Sequence, residues 1–229
     1  MTELSILMPA YNEQRTIERA IERVLEADLG MDGFELIVVE NGSTDATRAV
    51  LEGRDWPRQV QILTVESNRG KGDGVRRALA AANGTYSAIL DADVEYDPVD
   101  LAALIEPLRE EKAEAVFGTR VFQAHSAYGF WYVVGNRGLN LAANVLYNAW
   151  ISDLLSCFKV MPTEHFRSLG LREPGFAIDA EIPARLLRSG ARIYEVPVTY
   201  AARRREEGKK LKARDGVRIL WTLLRCRLD

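Results

Sequence analysis

The chain has 229 residues, 47% of them hydrophobic and 28% charged, a globular composition that excludes a disordered chain or a fibre. Two cysteines, Cys157 and Cys226, are too few for a disulfide scaffold or a cysteine-rich metal site, so a reducing, cytoplasmic setting is expected. The net charge of −3 conceals an asymmetry: from Arg203 onward ten Lys and Arg stand against four Asp and Glu, on a body that is acidic. A basic end suits an anionic partner (phosphate, lipid headgroup or nucleic acid), or else it is a solvated surface.

The opening, MTELSILMPAYNEQ, has no basic stretch leading into an apolar run, so no signal peptide is expected. Leu4–Met8 is a short apolar run ending at Pro9, and the pattern predicts a helix over Thr16–Ala27 with Thr16 as its cap. Strands follow at Phe34–Val39, Val60–Val65, Tyr86–Leu90 and Ala115–Gly118, alternating with helices at Asp45–Leu51, Gly72–Ala82 and Val99–Leu108. This alternation predicts an α/β fold, a mostly parallel sheet with helices on both faces, in a single domain over residues 1–229. From Phe130 to Ile151 a helical pattern carries Arg137, Asn140, Asn144 and Asn148 on one stripe, so its apolar face is expected to be buried or to rest on something greasy. No apolar stretch reaches the roughly 18 residues of a membrane span.

In such a sheet ligands gather beyond the carboxyl ends of the strands. Tyr11-Asn12-Glu13, Glu40-Asn41-Gly42-Ser43 and Asp91-Ala92-Asp93 all fall there, although the same residue types also make ordinary turns. The Asp-x-Asp triplet, with Glu95 two residues on, is suited to Mg2+ or Mn2+ and leaves positions open for phosphate oxygens. Lys71 opens a helix inside Asn68-Arg69-Gly70-Lys71-Gly72-Asp73-Gly74, where glycines and a helix N-terminus favour an anion. The segment matches neither the dinucleotide-binding nor the P-loop pattern. His125 and His165 lie near no nucleophile motif and read as surface or structural residues; Cys157 reads as core.

In this order the motifs resemble family 2 glycosyltransferases of the GT-A fold, in particular the dolichyl- or polyprenyl-phosphate sugar synthase-like branch. The resemblance rests on Met8-Pro9-Ala10-Tyr11-Asn12-Glu13, Glu40-Asn41-Gly42-Ser43-Thr44-Asp45, Lys71-Gly72 and Asp91-Ala92-Asp93. It continues through Gly118-Thr119-Arg120, Ser152-Asp153-Leu154-Leu155-Ser156-Cys157-Phe158-Lys159, Tyr194-Glu195-Val196-Pro197-Val198, Arg203 and Glu207-Gly208-Lys209-Lys210. Departures are Glu40-Asn41 where the family has two aspartates, Cys157 for glycine and Lys159 for arginine.

The resemblance implies a nucleotide-sugar-binding half over 1–120, an acceptor-side half over 121–202, and a basic loop with an amphipathic helix over 203–229. Pro9, Tyr11, Glu13, Glu40, Asn41, Lys71, Asp91 and Ala92 would bind the donor, a GDP- or UDP-hexose. Asp91, Asp93 and Glu95 would hold the Mg2+ or Mn2+. Asp153 would face the acceptor, with Arg120 and Arg203 meeting phosphate, and transfer would invert the anomeric carbon in one displacement. A hydroxyl acceptor needs a general base, for which Asp153 is the candidate. A polyprenyl phosphate is already anionic near neutral pH, its second pKa being about 6.

Seven basic against two acidic residues over Arg203–Arg214 favour the lipid phosphate, at a membrane surface or beside a membrane-protein partner. The last helix, Asp215–Leu228, has an apolar face of Val217, Leu220, Trp221, Leu224 and Leu228 that would lie at that interface or pack onto the sheet. Alternatives are a soluble hydroxyl or small phosphorylated acceptor, and a sugar-nucleotide-binding subunit without turnover. Nucleic acid is not an expected partner, since aromatics do not interleave with the basic run.

Overall fold

The computed structural model describes residues 2–31, 33–120, 130–201 and 213–229, with the backbone alone at 131, 132, 213 and 214. The chain runs β1 (Leu4–Ala10), α1 (Ile17–Glu26), β2 (Phe34–Asn41), α2 (Thr47–Glu52), β3 (Val60–Val65), α3 (Lys71–Ala81) and β4 (Tyr86–Ile89). It continues α4 (Asp100–Arg109), β5 (Ala115–Thr119), α5 (Phe130–Tyr147), β6 (Lys159–Pro162), α6 (Thr163–Ser168), α7 (Ile178–Ser189), β7 (Ile193–Pro197) and α8 (Ala213–Leu228). The strands form one sheet in the order β3-β2-β1-β4-β6-β5-β7, in which β6 alone runs against its neighbours.

This topology makes one rim polar. The parallel register pairs Ala10 with Glu40 and Leu7 with Ile89, so the loops after β1, β2 and β4 leave the sheet side by side. Because β6 is reversed, its beginning lies at the same rim as its neighbours' ends, which brings the preceding Asp153–Cys157 segment there too. Beneath the rim the central strands are wholly buried runs such as Leu36–Val39, as expected for a sheet covered on both faces.

Thr16 stands at the start of α1 without the expected capping bond; its hydroxyl instead donates to the Glu13 carboxylate at 2.8 Å. The pattern over Phe130–Ile151 stops as a helix at Tyr147, where Asn148 takes a left-handed φ of 49° and the Asn144 side chain bonds both the N–H and the C=O of Ile151. Asn140 likewise bonds the Ser152 carbonyl and accepts from the Leu154 amide at 3.1 Å. Asn140 and Asn144 of the polar stripe of α5 thus hold a chain segment, whereas Arg137 and Asn148 face water. Val134, Leu141 and Val145 are exposed instead, while Ala143, with Leu139 and Leu146, packs into a small core shared with α7 and α8.

The last helix departs from the expectation that it packs onto the sheet. It packs on α7 and α5 rather than on the sheet, through Ile219, Leu223 and Cys226, and the predicted apolar face of Val217, Leu220, Trp221, Leu224 and Leu228 is exposed. Charge holds it in place: Glu173 meets Arg218 Nε and Arg225 Nη2, each at 2.9 Å. Glu181, fully buried on α7, accepts the amides of Arg172 and Glu173 and the guanidinium of Arg185.

The N-terminus of α3 touches the backbone ahead of α7, with the Asp73 amide donating to the Pro174 carbonyl at 3.0 Å. A Cβ at Gly72 would lie 2.0 Å from the Glu173 carbonyl oxygen, so only glycine permits the approach. Helix propensity alone makes Gly→Ala favourable by about 1 kcal/mol. The backbone collision reverses that sign, and Gly72→Ala is expected to destabilise the fold by about 2 kcal/mol or more in urea unfolding.

Candidate functional site

Above the polar rim lies a cleft of about 540 Å³. Pro9, Tyr11, Glu13, Asn41, Lys71, Asp91, Ala92, Asp93, Glu95 and Arg120 line it, so ten of the residues singled out from the sequence meet in one cavity. The wall also includes Cys157, Phe176, Asp179 and Tyr200, and α8 closes one side through Asp215, Arg218 and Ile219.

Glu40 stands apart from this lining. Fully buried, it accepts from the Ser43 amide at 2.6 Å and from Arg48 Nε at 2.9 Å, so it shapes the loop after β2 instead of facing a ligand. Ser43, Thr44 and Asp45 of that motif are also structural. Ser43 Oγ accepts from the Asn12 amide, the Thr44 amide donates to Asn12 Oδ1 at 2.8 Å, and Asp45 bonds the Thr47 amide and hydroxyl. Burial alone would raise the Asp45 carboxyl; the Thr47 bonds outweigh it and lower its pKa. These bonds fasten the loop after β1 to the loop after β2. Asn41 faces the cleft, its amide nitrogen donating to the Gly70 carbonyl at 2.8 Å and its Oδ1 buried without a hydrogen-bond partner among the described residues.

At the centre Lys71 Nζ lies 3.0 Å from Asp91 Oδ2 and 3.0 Å from Asp179 Oδ2. Burial would pull the ammonium's pKa down, but the charges of Asp179 and Asp91 outweigh it and hold it well above the usual lysine value. The Asp91 carboxyl is correspondingly lowered, burial being overcome by Lys71 and by a hydrogen bond with the Cys157 thiol. Cys157 is core by exposure, as expected, yet it also lines the cleft, and burial pushes its thiol well up and away from reactivity. Lys159 lies fully buried behind this cluster over the Phe117 ring and bonds the Ser156 carbonyl; burial lowers its pKa.

Asp153 does not line the cleft. Arg120 grips it from Nε at 2.7 Å and from Nη2 at 2.8 Å, and adds its own amide at 3.1 Å. Burial would raise this carboxyl, but the guanidinium holds it below the ordinary range, which is the wrong direction for a general base at neutral pH. Arg120, stacked over Tyr200 at 4.9 Å, is the member of the pair that reaches the cavity. Arg203, His125 and the Glu207–Lys210 motif lie outside the described residues.

The acidic loop after β4 does not form a cage: among the described residues no three His, Cys, Asp or Glu side chains are grouped to hold a metal. Asp91 is turned to Lys71, Asp93 accepts the Glu95 amide at 3.2 Å, and Glu95 accepts the Tyr200 hydroxyl at 2.6 Å. The oxygen-only set still fits Mg2+ or Mn2+ arriving with phosphate, because such ions take one or two carboxylates and complete their shell with water and substrate oxygens. Asp179 was absent from the sequence reading. It sits in the first turn of α7, where the side chains of residues 178–184 are all buried, and no motif marks it.

The family model described as Glycosyl transferase family 2 matches residues 5–170. Glycosyltransferase AglJ of Haloferax volcanii is 30% identical over 200 residues, covering 86% of this chain and 63% of that protein. Dolichol-phosphate mannosyltransferase of Pyrococcus furiosus is 25% identical, over 90% of this chain and 59% of its own. The chain therefore spans less than two thirds of these relatives. Among solved structures, glucosyl-3-phosphoglycerate synthase of Mycobacterium tuberculosis with phosphoglyceric acid superposes with a TM-score of 0.72 at 25% identity, over 98% of this chain and 80% of that one. The same synthase with Mn2+, uridine diphosphate and phosphoglyceric acid gives 0.71 at 22% identity, over 99% and 78%. The fold is the expected GT-A fold.

The Arg120–Asp153 pair has a consequence in acid. A carboxyl lowered by folding contributes stability above its unfolded pKa, about 3.9, and loses it as pH falls further. Asp153→Asn, which leaves Arg120 buried and unpaired, should cost about 3 kcal/mol at pH 7 in denaturant titrations. It should also flatten the decline in stability below about pH 4.

Proposed function

The chain belongs to glycosyl transferase family 2, and from that premise we propose that it transfers a hexose, mannose or glucose, from a nucleoside-diphosphate sugar to a polyprenyl-type phosphate. The observation that carries the choice of acceptor is the Arg120–Asp153 pair: the carboxylate that would have to serve as a general base is locked in a bidentate ion pair, while its arginine faces the cavity. A phosphate acceptor needs no base, being an anion near neutral pH with a second pKa of about 6. It needs positive charge to bring it against another anion.

In this reading Pro9, Tyr11, Glu13 and Asn41 hold the nucleoside and Lys71 the diphosphate. Asn41 Oδ1 offers an acceptor to a base N–H. Asp93 and Glu95, with Asp91, would hold Mg2+ or Mn2+, which when bound neutralises charge on a departing diphosphate. Arg120, with Arg203, orients the acceptor phosphate. One of its oxygens forms the bond to the anomeric carbon as the bond from that carbon to the diphosphate breaks, so the configuration inverts and the nucleoside diphosphate leaves.

No helix of the described residues is long and apolar enough to cross a membrane. Trp150 on the segment after α5 is 82% exposed and Trp221 on α8 63%, beside Leu141, Val145, Leu220 and Leu228. Aromatic and aliphatic side chains turned to solvent on two packed helices suit the headgroup level of a bilayer, and we take the enzyme to work peripherally on the cytoplasmic face. A small phosphorylated acceptor is the second reading, since Arg120 would serve it equally and the synthase of similar fold was solved with phosphoglyceric acid.

Labelled GDP-mannose and UDP-glucose should be offered with Mn2+ and either polyprenyl phosphate in vesicles or 3-phosphoglycerate in solution. Label partitioning into organic solvent is expected from the vesicles. Label confined to the soluble acceptor would replace the first reading by the second, and none with either acceptor would defeat both. Asp93→Ala should remove the Mn2+-dependent part of donor affinity in calorimetry. Glu at both Trp150 and Trp221 should reduce co-sedimentation with anionic vesicles and leave donor binding unchanged.

A further inference from the structure

Asp91 is one of the three carboxylates that the proposed reaction assigns to a cation, and its Oδ2 already has one: the Lys71 ammonium, 3.0 Å away. A divalent ion and that ammonium cannot both sit close to the same oxygen without strong like-charge repulsion. Lys71 cannot simply be released either, because its side chain is 8% exposed and a buried ammonium without a counter-ion is severely penalised. The structure supplies a second counter-ion. Asp179, 9% exposed on α7, holds the same Nζ at 3.0 Å through Oδ2.

We propose that Lys71 and a divalent cation exchange at Asp91, and that Asp179 is the positioning residue that keeps the ammonium paired when Asp91 turns to the metal. Lys71 is then a placeholder. It neutralises Asp91 until a metal arrives with a diphosphate, and it remains beside the diphosphate on Asp179 afterwards. The exchange rests on the reading that Asp91 serves a metal, and it adds a competition that makes cation binding weak without the nucleotide. Geometry favours so short a transfer: α3 and the segment leading into α7 are pressed together at Gly72, which sets the distance between Lys71 and Asp179. The α7 carboxylate comes from an element separate from the loop after β4, so Asp91 can turn while Asp179 stays.

The test is Mn2+ affinity of the whole chain with no nucleotide present, read by electron paramagnetic resonance of free Mn2+ and by calorimetry. Lys71→Met keeps the apolar stem and removes the competing charge, and should tighten Mn2+ by about tenfold. Asp179→Asn leaves Lys71 with Asp91 alone and should weaken Mn2+ several-fold, with Asp179→Glu restoring it. A direct field effect of Asp179 on the metal would persist without Lys71. In the proposed exchange it shrinks, so Asp179→Asn should have little effect in the Lys71→Met background.

Unchanged or weaker Mn2+ binding in Lys71→Met would overturn the exchange, as would an Asp179→Asn effect of equal size in both backgrounds. Thermal unfolding of each variant establishes that it is folded. If Lys71→Met does not fold, Asp179→Asn and Asp179→Glu decide, since unaltered affinity in the first or no restoration in the second defeats the proposal. Sugar transfer by the unmodified chain is scored separately, so the exchange can fail while the transferase reading stands.

Discussion

A buried positive charge organises this cleft. Lys71 sits at the first residue of α3, and moving its ammonium out of water is tolerable only because two carboxylates lie within 3.0 Å of it. Those carboxylates belong to the loop after β4 and to α7, so satisfying one charge fixes three elements relative to each other. The bonds are charge-assisted and shielded from solvent, where such contacts are strongest and where loss of one partner costs most. Lys159 is buried behind Lys71, and there burial, helped by the Lys71 charge, lowers its pKa although Asp179 acts to raise it.

The residues around this cluster divide by task, and motif membership does not predict which task each has. Glu40 and Asp45 are acids in one short motif, yet both spend their oxygens on amides, hydroxyls and Arg48 in the loops that carry Asn12 and Asn41. Asp153 supports Arg120 in the same manner. An acid that accepts several hydrogen bonds from its own chain is held in one orientation with its oxygens engaged, which suits a scaffold and not a proton acceptor. Arg120 gains from the arrangement: planar, bidentate pairing below and a tyrosine ring alongside leave its guanidinium with few rotamers to lose on meeting an anion.

The half of the chain up to Thr119 was legible because its signals are local. Short apolar runs, helical spacing and turn residues mark each element, and the strand ends carry the polar clusters that the parallel register then aligns. Later elements answer to contacts between distant segments. β6 is a short apolar run that could belong to any buried segment, and only its antiparallel pairing with both neighbours identifies it. In α7 the acids Asp179 and Glu181 are buried because Lys71, Arg185 and two amides receive them, so two charged residues stand inside where hydropathy expects them in water. Asp179 had no motif and no spacing to reveal it. Its signal is a partner a hundred residues away.

The placement of α8 shows what pattern alone leaves undecided in a surface helix. Its larger apolar residues face solvent, while the buried side is the smaller set of Ile219, Leu223 and Cys226, flanked by Arg218 and Arg225 on the Glu173 carboxylate. Ion pairs with a nearly inaccessible carboxylate offset part of what a more extensive apolar contact would have supplied. The outcome couples two surfaces on one rigid element: Asp215, Arg218 and Ile219 wall the cleft, and a fraction of a turn away Leu220 and Trp221 point outward. Any body that engages the outer face lies within a helix diameter, about 10 Å, of the cavity that Arg120 lines. In the proposed transfer to a polyprenyl-type phosphate, that separation would let the polar head enter the cleft while the apolar tail stayed in a nonpolar phase.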